Sequence, residues 1–433
     1  MRLRRFLFPL ISLLLLIGGA GCDDEYSTYH SFTKEVTQSK SYPVYLDMGK
    51  VGAIAVKSTS PLVSPFKIVS NPSHFFVGDS LGGIHVYQKD AHGTTKLCYI
   101  ECPYLRDFDV IGNRLFCNNL TDMVVLDVSN PPTISLLHRE PYYFNQFSDY
   151  KTYWNFPFQK GKGIQVNWET RTLTGTITDR QPQLDFSEVD AQCAHLTTTE
   201  IPDGWLENNY PRGKPYSALV NVANEEIYSL GTYNSWKVCS YSKGEFLTKD
   251  IKDAPYPSPY YYSNSIPVKL SYKENIIYIL ERNEANHSSG HVDCLLSTGY
   301  FRGFHLYFPN CAPKDATYVP ELKAFYILAG HYIWAAFTEI KEIPAFVAEE
   351  EYRKYPQLTD ASSINYIDKK IITVGRNGLS IYLPGKEQLE HVREYPDISG
   401  RCFLFEENRL VTADLQGLKL YNTSDLNNIQ QIQ

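Results

Sequence analysis

Eleven histidines, nine cysteines and 48 acidic residues give this 433-residue chain ample material for chemistry. Their spacing decides whether it is used. The HExxH zinc signature is absent. The tightest mixed cluster is NHSSGHVDC, which holds His287, His291, Asp293 and Cys294. Soft and hard donors in one flexible loop are metal-ligand types, but this spacing in an irregular stretch matches no recognised geometry. A solvent-exposed loop is expected there, with no metal and no cofactor. The GxSxG elbow and the P-loop are also missing. No pair of carboxylates is singled out by spacing, and no catalytic residue is assigned. The reading leans non-catalytic, although acids brought together from distant repeats would leave no local signature.

One cysteine does carry a signal. The N-terminus reads MRLRRFLFPLISLLLLIGGAGCDDE. Arg2, Arg4 and Arg5 form a basic start, and Phe6 to Ile17 an apolar run too short for a good spanning helix. Gly19-Ala20-Gly21-Cys22 resembles a bacterial lipobox, which implies cleavage of residues 1–21 and acylation of Cys22. Several acyl chains at one residue anchor stably where one is marginal. Asp23, Asp24 and Glu25 resemble the surface-export signal of Bacteroidetes lipoproteins. Residues 22–43 are polar, lack periodicity, and read as a tether. Outer-membrane attachment with exposure at the cell surface is expected, with a periplasm-facing orientation as the alternative. Losing residues 1–21, which hold three arginines and no acid, moves the net charge from −7 to −10. That argues against nucleic acid as a partner. The other eight cysteines show no CxxC pattern and allow 105 pairings. Most lie in apolar, strand-like runs, where small buried hydrophobes are the expected role.

Aromatic residues are the other candidate for recognition. PYYFNQFSDYKTYWNFPF, starting at Pro141, includes Tyr142, Tyr143, Phe147, Tyr150, Tyr153 and Trp154. PYPSPYYYSNS includes Tyr260, Tyr261 and Tyr262. Such side chains join apolar area to a polar tip and are enriched at binding surfaces. They could rim one face and take a glycan, a peptide or an envelope protein. The favoured alternative is that they lie down on the fold and plug its excursion. The sequence leaves their face open.

The elements that position these residues follow from a repeat. GIHVYQ begins at Gly83, DMVVLD at Asp122, GLSIYL at Gly378 and GLKLYN at Gly417; the first two are 39 residues apart, and so are the last two. The glycines fit a hairpin position with φ > 0, and Asp122 is among the residues that tolerate it. Upstream of such segments recurs an apolar strand, a polar turn and a second apolar strand. The second strands start near Phe75, Leu115, Ile227, Ile277, Phe325, Ile371 and Leu410. Seven units of about four short strands read as propeller blades. The interval from Leu115 to Ile227 is 112 residues, too long for one unit. A long excursion at about 141–215 is favoured over an eighth blade. FVAEEEYRKY, Phe346 to Tyr355, is the best local helix candidate.

GGIHVYQ…DFDVIGNRLFCNNLTDMVVLDVSNPP resembles two consecutive LVIVD repeats, in which a strand runs into Asp-Val-Ser-Asn-Pro. GLKLYNTSDLNNIQQI resembles a third. The arrangement is similar to lipid-anchored LVIVD-repeat proteins of Bacteroidetes, strongly over 66–175 and 358–433 and faintly over 176–357. The resemblance implies a β-propeller at the cell surface or in the periplasm, and it brings no catalytic residues. Asp127, Ser129, Asn130 and Pro131 have a turn-forming role. The expected protein is therefore all-β: a seven-bladed propeller, with eight blades as the alternative, over residues 44–433. Its expected function is a non-catalytic binding platform at the cell envelope. The alternatives are a carbohydrate-binding or carbohydrate-active protein using the channel, and a purely structural surface lipoprotein.

Overall fold

In the computed structural model, the described residues are 31–90, 93–141, 143–145, 158–159, 162–203, 218–231, 236–248, 265–273, 276–283, 290–296, 304–308, 311–337, 345–346, 352–358 and 360–432. Residues 1–21, Cys22, Asp23, Asp24 and Glu25 lie outside them. The protein is all-β. Two compact units divide it: residues 1–45 with 167–197, and residues 46–166 with 198–433.

The larger unit contains, among the described residues, seven small antiparallel sheets, here numbered I to VII in chain order. Their first strands are Pro65–Ser70, Phe108–Ile111, Ala218–Ala223, Ser265–Lys273, Pro313–Val319, Ala361–Ile367 and Cys402–Glu406. Each sheet is a meander in which consecutive strands pair. The second strands, from His74–Asp79 in sheet I to Arg409–Asp414 in sheet VII, begin one residue before the positions the repeat predicts. Two sheets gain a strand: Ala55–Lys57 pairs with the last strand of sheet I, and Ala345–Phe346 pairs in parallel with Phe304–Phe308 of sheet IV.

A small sheet alone exposes apolar side chains on both faces and is marginal in water. Here each sheet shares an apolar cluster with the next. Phe76 and Val86 of sheet I meet Phe108 and Leu115 of sheet II. Phe116 and Val125 of sheet II meet Val220 and Ile227 of sheet III. The pattern continues through Leu230 with Ile279, Tyr278 with Phe325, Tyr326 with Ile371, and Ile372 with Leu410. Sheet VII then packs on sheet I, through Val411 and Leu420 with Phe75 and Val77. At roughly 1.5–3 kcal/mol per buried large aliphatic or aromatic side chain, these interfaces are the main source of the unit's stability. The first strands of successive sheets lie against one another, as Phe108–Ile111 does with Ala218–Ala223. The last strand of sheet VI, Leu389–Tyr395, is mostly exposed.

The smaller unit holds most of two neighbouring strands, Thr33–Leu46 and Gly163–Thr178. Stepping two residues along one moves two residues back along the other: Thr37 meets Thr174 at 3.0 Å, Ser39 meets Thr172 at 2.9 Å and Ser41 meets Thr170 at 3.0 Å. This hydroxyl ladder is exposed. On the other face Lys40 and Tyr42 both donate to Asp190, at 2.6 and 2.7 Å, beside the short helix Ser187–Gln192. The tether expected over 22–43 is thus a strand from Thr33 onward. Its alternation is of polar residues, and its partner lies some 130 residues away, so it carried no apolar period to read.

Other expectations also change. Tyr352–Pro356 is a strand of sheet V and Phe346 belongs to a strand, so the helix expected at Phe346 to Tyr355 is replaced at both described ends. Open strand edges, of sheet V for Tyr352–Pro356 and of sheet IV for Phe346, outweigh local propensity. His291, Asp293 and Cys294 lie on the strand Gly290–Leu296 rather than in a loop. The glycine rule holds in sheets VI and VII, where Gly378 and Gly417 have φ of 134° and 127°. In sheets I and II the left-handed residues are instead Gly82 and Leu120. Gly83 is small for a different reason: a Cβ there would sit 2.2 Å from the Tyr99 ring.

Candidate functional site

Three first strands, from sheets I, II and III, are joined by charge. Lys67 Nζ donates to Asp107 Oδ1 at 2.8 Å and to the Val220 carbonyl at 3.0 Å. Asp107 Oδ2 accepts the Val220 N–H at 2.9 Å, and Asp109 Oδ2 accepts the Val222 N–H at 2.9 Å. The matching two-residue steps show that these first strands run parallel. The other oxygens accept the N–H of Phe108 and Val110. Both carboxyls are buried, and burial pushes both above their ordinary range, an effect that Lys67 only partly offsets.

Sheets IV, V and VI repeat the device with a different charge count. Asp315 Oδ2 accepts from Lys273 Nζ at 2.9 Å, Ser363 Oγ at 3.1 Å and the Ile364 N–H at 3.0 Å. Lys269 Nζ lies 3.0 Å from Oδ1. Lys273 also donates to the Ile364 carbonyl at 2.7 Å. Asp315 is fully buried, which by itself would raise its pKa. Lys269, Lys273 and the Ile364 N–H reverse that and bring it down to about 2. Between sheets VII and I, Glu406 accepts from Ser70 at 3.0 Å and from Lys89 at 2.6 Å.

These acids are therefore tied to lysines and backbone amides of neighbouring sheets. A glycosidase pair needs one carboxyl poised to give a proton to a leaving group and another open to the sugar or a water. Asp107 and Asp109 have raised pKa values, as a catalytic acid would. Yet their oxygens already receive N–H groups that hold two sheets together. Among the described residues, no group of three histidines, cysteines, aspartates or glutamates is placed to hold a metal ion.

The aromatic run starts in the core. Tyr143, expected at a binding surface, is only 3% exposed, and Phe144 is buried beside it. Tyr143 Oη lies 2.9 Å from Ser229 Oγ and 3.3 Å from Cys239 Sγ. Lys237 donates to the Tyr143 carbonyl, and its Nζ sits 3.9 Å above the ring. Burial pushes Lys237 down to about 8. Tyr143 is thus a wedge under sheet III, because its ring fills apolar space while its hydroxyl finds partners. Tyr142, Phe147, Tyr150, Tyr153, Trp154, Tyr260, Tyr261 and Tyr262 lie outside the described residues.

The meander topology locates the start of the first aromatic stretch and both ends of the second. With alternating strand direction, the turn between second and third strands shares an end with the connection to the next sheet. Glu140 and Ala218 flank the excursion that opens with one aromatic stretch, and Thr248 and Ser265 flank the other stretch, so all four lie at that end. Leu81 and Leu415, in second-to-third turns of sheets I and VII, are exposed there at 63% and 53%. Val63, Tyr104, Tyr332 and Leu358 are exposed at the same ends of their sheets. None of these was singled out by sequence, because a lone apolar residue in a turn has no periodic neighbour.

Seven of the eight described cysteines are buried and Cys311 is half-buried, in line with their expected core role. Asp127 Oδ1 accepts the Ser129 N–H at 2.9 Å, and Asn422 Oδ1 accepts the Ser424 N–H at 2.9 Å, the same turn in sheets II and VII.

Neither a protein-family profile nor a curated protein matches the chain. Solved structures similar to it include one titled as the mitotic checkpoint complex, at 12% identity and a TM-score of 0.47, covering 86% of this chain and 94% of that one. The C-terminal WD40 domain of Sif2 is similar at 11% identity and a TM-score of 0.42, over 90% and 88% of the two chains. A structure of YCF48 bound to a D1 peptide is similar at 8% identity and a TM-score of 0.43, over 88% and 100%. Likeness at this level carries no argument about shared chemistry.

Proposed function

We propose that the seven sheets are the blades of one closed β-propeller, tethered to the envelope by lipid at Cys22, that acts as a non-catalytic platform for a protein partner. The observation that carries this reading is the pairing of the first-strand acids. Asp107, Asp109 and Asp315 are engaged by lysines and by amides of adjacent sheets. An enzyme or sugar binder at the channel would need such groups turned toward its ligand. Closure is supported by the packing of sheet VII on sheet I and by the Glu406 pairs. The docking end is the one carrying Leu81, Leu415, the start of one aromatic stretch and the flanks of the other, where apolar side chains are held in turns on a rigid scaffold.

Cross-linking of the tagged protein in its native cells tests this. One discrete envelope protein should be recovered with the parent. It should be lost with Leu81→Asp/Leu415→Asp and with Tyr150→Ala/Trp154→Ala, at unchanged thermal midpoint. Turnover or retention of a soluble glycan, abolished by Asp107→Asn, would replace the platform with the carbohydrate reading. Separately, Cys22→Ala should move the protein out of the membrane fraction; persistence there would sink the lipid assignment.

A further inference from the structure

Cys102 and Cys117 face each other with sulfurs 3.9 Å apart, both fully buried between sheets I and II. The approach is enforced by the backbone around them. Cys102 follows the last strand of sheet I, Gly93–Glu101, and Cys117 lies in the second strand of sheet II, Arg114–Asn119. The connector between the sheets is clamped onto that strand by two asparagines. Asn118 Oδ1 accepts the N–H of Arg106 at 2.6 Å and of Asp107 at 3.0 Å, while its Nδ2 donates to the Tyr104 and Leu120 carbonyls. Asn119 Nδ2 donates to the Pro103 carbonyl at 2.7 Å. Cys102 is further fixed by its own N–H on the Gly82 carbonyl and its Sγ on the Asn118 carbonyl.

We infer that Cys102 and Cys117 are a modification site, joined as a disulfide that staples sheet I to sheet II when the chain folds in the presence of a disulfide oxidant. The reaction is thiol–disulfide exchange with a small disulfide such as glutathione disulfide. One cysteine thiolate attacks the reagent, forms a mixed disulfide and releases one thiol. The second thiolate attacks the protein sulfur of that mixed disulfide and releases the other. The protein loses two protons and two electrons, and the reagent gains them as two thiols. The contact with Cys102, together with burial, holds the Cys117 thiol well above its ordinary range. Exchange is therefore slow once the sheets have closed, and the bond forms during folding.

The test refolds the full chain from denaturant with glutathione disulfide or, in parallel, with dithiothreitol. Trypsin cuts after Lys96 and Arg106, and after Arg114 and Arg139, so the two cysteines fall in separate peptides, 97–106 and 115–139. The oxidised product should yield these peptides joined, two fewer alkylatable thiols, and release by reductant. Its thermal midpoint should exceed that of the reduced product by roughly 3–6 °C, the range for a closed loop of this length in a large chain. Cys98 shares peptide 97–106, so Cys98→Ser should keep the link and Cys117→Ser should lose it. Separate recovery of 97–106 and 115–139 with every cysteine alkylated would overturn the inference. So would loss of the link in Cys98→Ser. The peptide map of the unsubstituted chain decides even if a variant fails to fold.

Discussion

Two parts of the larger unit solve one problem with opposite charge counts. In sheets I to III a single ammonium, Lys67, serves two buried carboxyls, Asp107 and Asp109. In sheets IV to VI two ammoniums, Lys269 and Lys273, serve the single carboxylate of Asp315. Both devices tie a middle sheet to the first strands on either side. The consequence differs in sign. Asp315 is held at about 2, below the ordinary 3.8, so its charge is stabilised by the fold. That stabilisation is fully present above about pH 4 and is lost as pH falls toward 2. Asp107 and Asp109 are held above their ordinary range by burial. Folding therefore favours their protonated forms, and their charged forms carry a penalty that acid relieves. One clamp weakens in acid and the other does not.

The largest effect tests whether the second clamp is worth more than the first. Asp315→Asn keeps an acceptor for the Ile364 N–H but leaves Lys269 and Lys273 without their counter-charge. A loss of roughly 3–5 kcal/mol is expected in chemical denaturation at pH 7. Lys67→Met leaves two carboxyls that can neutralise by taking protons. Its cost should be smaller, about 2–3 kcal/mol at pH 7.5, and should shrink at pH 5. A cost that grows as pH falls would break the comparison.

Acid denaturation sharpens it further. The parent should lose about 2 kcal/mol between pH 4 and pH 2 through Asp315, from the difference between its folded and ordinary pKa. Asp315→Asn should lack that component. An equally steep acid limb in the variant would assign the loss to other carboxylates.

The sheets were legible in the sequence because their signal is local. Apolar runs about Phe75, Leu115 and Leu410 alternate with polar turns, and each strand pairs with its neighbour in the chain. The strands Thr33–Leu46 and Gly163–Thr178 were not legible as partners, because hydroxyls such as Thr37 and Thr174 meet across a long interval with no apolar period. The clamps were hidden for a related reason. Lys67, Asp107 and Val220 come from three sheets, and the acid's fate depends on an amide that carries no side-chain signature. Tyr143 reads the same as Tyr142 in sequence. Only the space beside Ser229 and Cys239 makes it core.

The smallest expected effect asks what the surplus lysine does. Lys269 is about one-third exposed and touches Asp315 only through Oδ1, whereas Lys273 also holds two backbone carbonyls. Lys269→Met converts the clamp from two cations and one acid to one of each, keeping the apolar stem. A partly exposed pair is screened by water, so the cost at pH 7 should stay under about 1 kcal/mol. The acid response should change more than the stability: with one cation gone, Asp315 titrates closer to its ordinary value, so the acid limb is shallower and ends at higher pH. A loss comparable to that of Asp315→Asn would mean that Lys269, not Lys273, holds the carboxylate. The contrast between the two clamps would then rest on which lysine is paired rather than on how many there are.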